Sequence, residues 1–379
     1  MSAKKQLESR RLSRNLHKIV SSSFPYTILS ILVGFIAGGI ALLIAGYNPL
    51  EAYASLFRAI FLNAKTGKLS TKSMTYSFIE YANPYILTGL SVAFSFKTGI
   101  FNIGAEGQYI VGSLAACLVA IFVKAPAWVL IPLCILASIA AGVLWGGIVG
   151  YLKVRFGSHE VLCMIMFNWI AFYLSNFIVN LESVNVGGGK TWTKIIPDEA
   201  KITISKWFPA NVVSSNTHFG IVLTLICVIA IWYIISRTTL GYRLKSVGLN
   251  RDAAEYAGIN ANRCVIVSLA ISGALASLAG GLQVLGVNYK INQFAAQESY
   301  GFNGITVALI GACNPFGVLL GGWFFGAMKF AGTRMKMMDG TRVPKEIINI
   351  IMGCIVLAIA MSNLLRMAVV RRETKGGKV

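Results

Sequence analysis

Apolar runs close to twenty residues recur from one end of this chain to the other. A run of that length is what an α-helix needs to cross about 30 Å of hydrocarbon. Lipid offers no partners to backbone N–H and C=O groups, so only helices and closed barrels span it. Composition agrees, with 56% of the 379 residues hydrophobic and 13% charged. The fold class is therefore all-α: a polytopic integral membrane helical bundle of about ten membrane segments, some broken or re-entrant. The segments fall at 24–46, 84–98, 108–123, 127–150, 159–180, 218–236, 264–286, 302–313, 315–333 and 345–365. Segment 302–313 is too short to cross as a helix and is expected to dip in and return. One transmembrane domain thus occupies 24–366, between a basic tail at 1–23 and a second tail at 367–379.

A net charge of +20 raises the question of nucleic acid. The placement of the basic residues answers it. Lys4, Lys5, Arg10, Arg11, Arg14 and Lys18 precede the first run. Arg237, Arg243, Lys245, Arg251 and Arg263 fill one loop, and Arg366, Arg371, Arg372, Lys375 and Lys378 end the chain. These are cytoplasmic flanks under the positive-inside rule, which puts both termini in the cytoplasm and segments 47–83 and 181–217 outside. Arg334, Lys336 and Arg342 would then be external, against the trend. Within 47–83, apolar residues at helical spacing over 50–62 suggest an amphipathic surface helix.

Catalytic and metal chemistry find no residues to carry them. The seven cysteines form no Cys-x-x-Cys pair, and there are three histidines. His159-Glu160 opens a zinc-like string, but position 163 is Cys. Gly189-Lys190-Thr191 mimics the end of a phosphate loop, yet Val184 stands where its first glycine belongs.

Residues 97–108, Lys-Thr-Gly-Ile-Phe-Asn-Ile-Gly-Ala-Glu-Gly-Gln, interrupt two apolar runs. Gly99, Gly104 and Gly107 break the helical pattern, while Asn102, Glu106 and Gln108 bring polar atoms to membrane depth. Irregular backbone survives there only where protein buries it or water lines it, and an acid in a span is a functional candidate by default. The plainer alternative is a surface loop with Glu106 in the first turn of the next helix. Phe302-Asn303-Gly304 repeats part of Phe101-Asn102-Ile103-Gly104, as internal repeats of transporters do.

The loop 237–263 is basic and organised. Asn250 can cap a short helix ending at Gly258, with Asp252 in its first turn. Ala253, Ala254 and Ala257 leave a small face, flanked by Arg251 and Glu255 at i, i+4. The sharper reading is a helix that docks a cytoplasmic partner; the blander one is a solvated loop.

Three strings together carry a resemblance: residues 101–108, the loop from Gly241-Tyr242-Arg243 through Ala253-Ala254 to Gly258-Ile259, and residues 301–311. They resemble the membrane permeases of bacterial ABC importers, in the branch of ribose, branched-chain amino-acid and nucleoside permeases, and most of all the nucleoside members. The resemblance spans roughly residues 80–365. It implies a subunit of an ATP-driven importer in the bacterial cell membrane, with no ATPase site of its own and no cofactor; ATP and Mg would sit on a partner ATPase. Further partners implied are a second, different permease chain and an extracellular substrate-binding lipoprotein. Phe101 and Phe302 would offer aromatic faces to a passing base, and Asn102, Glu106, Gln108 and Asn303 hydrogen bonds, unless the phenylalanines only pack the bundle. Asn250, Arg251, Ala253, Ala254, Glu255 and Gly258 would couple to the ATPase. The alternatives are a ribose-like sugar permease of the same branch and, from another class, an ion-coupled secondary transporter with Glu106 as its proton relay.

Overall fold

The computed structural model describes residues 23–63, 67–204, 217–335 and 345–361. The tails at 1–23 and 367–379 fall outside them, Ser23 apart, as do Lys336, Arg342 and residues 205–216. The described residues are helical, with isolated β-bridges in place of strands. They form two compact units, divided at Leu56/Phe57 and Arg334/Met335.

The first unit holds α1 (Ser23–Ile44), the start of α2 (Pro49–Phe61) and α14 (Lys345–Ala360). Its close contact uses the small face of α1. A Cβ at Gly34 would lie 2.4 Å from Ile355 Cα, and one at Gly38 3.1 Å from the Ile351 side chain. α2 turns through 118° from α1, and the Tyr53 hydroxyl donates to the Phe35 carbonyl at 2.6 Å. The expected surface helix at 50–62 is thus a helix folded back on its predecessor.

The second unit begins with α3 (Thr71–Thr75), a π-helical turn (Tyr76–Tyr81) and α4 (Ala82–Phe96), one continuous helical run. The run starts well before residue 84, in what reads from sequence as external linker. There follow α5 (Ala105–Phe122), α6 (Ala127–Phe156), α7 (Glu160–Val179), α8 (Gly220–Arg237), α9 (Thr239–Leu249) and α10 (Arg251–Tyr256). α11 (Ala261–Gln283) continues into a second π turn (Val284–Asn288), and α12 (Tyr300–Ile310) and α13 (Pro315–Met335) complete the unit. α4, α5 and α11 make the interior: Ala82 to Ser95 is buried throughout. α6, α7 and α8 turn Leu136, Leu144, Met166, Ile170, Ile226 and Ile229 outward, the apolar surface lipid requires.

Each of the ten expected segments coincides with a helix. The count of ten spans is not reproduced, however. Five described helices are long and apolar enough to cross a membrane, six if the bent α1–α2 pair is one span. α12 is too short at 11 residues, and α4, at 15, is the last part of the longer run that begins at Thr71.

Glycine sets the approach of α6 to α11. A Cβ at Gly146 would lie 2.2 Å from the Leu269 carbonyl oxygen, and one at Gly142 2.3 Å from that of Gly273. Small residues are how helices associate where lipid removes the hydrophobic drive. Gly147, one residue on, meets nothing within 4 Å. Gly146→Val is therefore expected to lower stability by about 3 kcal/mol or more, and Gly147→Val by under about 0.5 kcal/mol. Thermal unfolding of the purified chain in detergent checks the contrast; equal shifts would refute the close packing.

The segment after α7 is not the loose linker its polarity suggests. Ile196, Ala200 and Ile202 are buried in one cluster with Leu114, Ala120, Leu130 and Leu285. It caps the ends of α5 and α11, while the α9–α10 loop lies at the other end of α11.

Candidate functional site

The break between α4 and α5 follows from Gly99. Its φ of +76° is left-handed, which glycine adopts without strain. The Ile100 N–H turns back to the Ser95 carbonyl at 3.2 Å, closing α4. Residues 100–104 then run as irregular backbone to α5.

This backbone is buried by protein. Asn168 of α7 accepts from the Gly107 N–H at 2.8 Å and donates to the Ile103 carbonyl at 3.1 Å. Asn102 Nδ2 donates to Gln108 Oε1 at 2.9 Å and to Ser272 Oγ at 2.6 Å. Thr98 donates to Ser268 at 2.9 Å. Asn102, Glu106 and Gln108 are all buried, and Phe101 is half-buried, edge-on to Phe96 at 5.2 Å.

Glu106 reaches across to α12. Its two carboxylate oxygens accept the N–H groups of Ser299 and Gly301, each at 2.7 Å. A helix N-terminus leaves such donors free and favours negative charge. Tyr300 lies between the two gripped residues, and its carbonyl accepts from Thr88 at 3.1 Å. Phe302 and Asn303 are half-buried on α12. The repeated strings have different structures: 101–104 is irregular, whereas 302–304 is helical.

What Glu106 positions opens onto a cavity of about 220 Å³. The cavity lies between the two π turns, lined by Tyr76, Glu80 and Tyr81 of the first, Gln283 just before the second, Asn288 at its end, and Tyr300. Tyr300 is flanked by Tyr109 at 4.8 Å and Tyr85 at 5.3 Å between ring centres. Glu80 is buried and accepts from the Thr217 hydroxyl at 3.1 Å. The neighbouring His218 packs against Gly286, where a Cβ would come 2.5 Å from its ring. Its Nδ1 accepts from the Gly220 N–H at 3.0 Å.

Sequence reasoning missed Glu80, Gln283 and Tyr300. The available signal was a carboxylate and an amide inside or beside apolar runs, which are costly there without a purpose.

The loop at the other end forms two helices. α10 begins as expected: Asn250 Oδ1 accepts from the Ala253 N–H at 3.0 Å, and Arg251 pairs with Glu255 at 3.1 Å. Gly258 ends it in a left-handed conformation, φ +80°. Ala254 is buried within the chain while Ala253 is exposed. The prominent surface is apolar: Tyr256 is 97% and Leu249 88% exposed.

Residues 74–360 match the family described as branched-chain amino acid transport system / permease component. The chain belongs to this family. The matched stretch contains the break, the cavity and the α9–α10 loop. The guanosine ABC transporter permease protein NupP of Bacillus subtilis is similar at 36% identity, covering 92% of this chain and 96% of that one. The nucleoside ABC transporter permease protein NupB of Lactococcus lactis is 32% identical over 88% and 90%. The glucose ABC transporter permease protein TsgB13 of Haloferax volcanii is 29% identical over 89% and 87%. As a permease component, the chain is a multi-pass membrane transport subunit and not an ATPase.

Proposed function

We propose that this permease forms the translocation pathway of an ATP-driven importer for nucleosides. The observation that carries it is a match along nearly the whole chain to two permeases named for guanosine and nucleosides. The importer would add an ATPase, which binds ATP and Mg, a second and different permease chain, and an extracellular substrate-binding lipoprotein. Both termini and the α9–α10 loop would face the cytoplasm of a bacterial cell, and the 181–204 cap the outside. Support for a docked ATPase comes from Leu249 and Tyr256, apolar side chains held in the open on a basic loop. Ala254, packed inside, would shape α10, and Ala253 and Tyr256 would meet the partner.

A sugar importer of the same branch is the second reading, favoured by the glucose-named relative. The ion-coupled reading has less behind it. A proton relay needs a reachable carboxylate, and both oxygens of Glu106 are engaged by backbone N–H groups in a buried site.

Uptake of labelled guanosine by cells with and without the gene tests the proposal. Gene-dependent uptake that unlabelled nucleosides suppress and glucose does not is the expected result. Glucose uptake that changes in place of guanosine uptake would move the chain to the second reading.

A further inference from the structure

We propose that the cavity between the two π turns is a contact site for the ribose of the transported nucleoside and recognises its vicinal diol; this rests on the nucleoside reading above. Four observations lead there. The first is size. At about 220 Å³ the cavity falls below the roughly 300–1,000 Å³ of sites that enclose drug-sized ligands, so it takes one ring of a substrate. The second is its walls. Tyr76, Tyr81, Pro84 and Tyr300 supply apolar faces against which the carbon face of a sugar ring packs.

The third observation is polarity. Glu80 contributes a buried carboxylate, which in its ionised form only accepts hydrogen bonds. Gln283, 7% exposed, lines the same space, and its Oε1 has no hydrogen-bond partner among the described residues. An orphaned buried acceptor requires an explanation. Two acceptors on one small cavity suit a ligand that presents two donors, and a pair of sugar hydroxyls does so. A guanine edge also presents two neighbouring donors, N1–H and the 2-amino group, and removing the ribose hydroxyls alone tells the two apart.

The fourth observation is the backbone. Glu80 and Gln283 lie in or immediately beside π-helical turns, which are rare and concentrate at functional sites. Thr217 bonded to Glu80 and His218 packed on Gly286 fasten both turns to one loop.

The test is a ratio of uptakes, guanosine to 2′,3′-dideoxyguanosine, in cells carrying the whole importer. Taken within one preparation, the ratio does not depend on expression. The intact protein is expected to favour guanosine by tenfold or more. Glu80→Gln keeps an acceptor for Thr217 but weakens the bond to a hydroxyl; Gln283→Met keeps length and removes the orphaned oxygen. Each is expected to bring the ratio down at least threefold, through loss of guanosine uptake with the dideoxynucleoside unchanged. Equal losses for both substrates, or no change in either, would overturn the proposal while nucleoside transport stands. Failure of Gln283→Met to fold would also overturn it, because the oxygen would then have a structural task. No nucleoside uptake by the intact importer would remove the nucleoside reading and the diol site with it.

Discussion

Glu106→Ala is expected to abolish transport and to destabilise the chain by about 2–6 kcal/mol. The estimate comes from two lost hydrogen bonds, each leaving a donor inside the protein at about 1–3 kcal/mol. Those donors are the N–H groups of Ser299 and Gly301, at 2.7 Å from the two carboxylate oxygens. Ser299 adds to the demand. Its φ of +65° is left-handed, a conformation uncommon outside glycine, so the turn before α12 relies on being held. Released, it would carry Tyr300 away from the cavity and from its place between Tyr85 and Tyr109. Glu106→Gln retains one accepting oxygen and should fall between the two. Thermal unfolding in detergent and nucleoside uptake measure the two effects together. A proton relay makes a different prediction, in which Glu106→Gln loses transport and keeps full stability; that result would replace the clamp with the relay.

Legibility followed locality. The break at 97–108 and the cap of α10 were readable because their signals lie within a few residues: a left-handed glycine, and an Asn three residues before the N–H it accepts. α9 was not, because the glycines at 241 and 248 weigh against a helix by propensity. Inside the structure they are close-contact positions, where a Cβ would come 2.1 Å from the Ile234 carbonyl oxygen and 2.3 Å from that of Lys97. The cap at 181–204 was lost for another reason. Ile196, Ala200 and Ile202 have no helical or strand period, and only their shared burial makes them a core. Asn102, Glu106 and Gln108 stood out as polar groups at membrane depth, and they are there. Which of them bond to one another, and that Glu106 grips a turn nearly two hundred residues away, depends on the tertiary fold. The same holds for Glu80 and Gln283, brought to one cavity by two distant π turns.

The second large effect is expected where α9 meets the end of α4. Gly248 lies against the backbone of residues 97–99, close enough that a Cβ would come 2.3 Å from the Lys97 carbonyl oxygen. α10 follows directly through Asn250, with Leu249 and Tyr256 exposed on either side of it. Force applied to those two side chains by the ATPase of the proposed importer would therefore arrive at the base of the broken segment through one glycine contact. Two sets of variants separate docking from transmission. Leu249→Asp with Tyr256→Asp puts charge on a surface that makes few internal contacts, so folding should change by less than about 0.5 kcal/mol. Co-purification of the ATPase should be lost and uptake should fall by more than tenfold. Gly248→Val leaves that surface intact but forces α9 off Lys97, because backbone cannot yield as a side chain end can. The ATPase should then remain bound while uptake falls by a similar factor. If Gly248→Val transports normally, the contact transmits nothing; if it sheds the ATPase as the aspartate pair does, Gly248 shapes the docking surface and the path to the broken segment lies elsewhere.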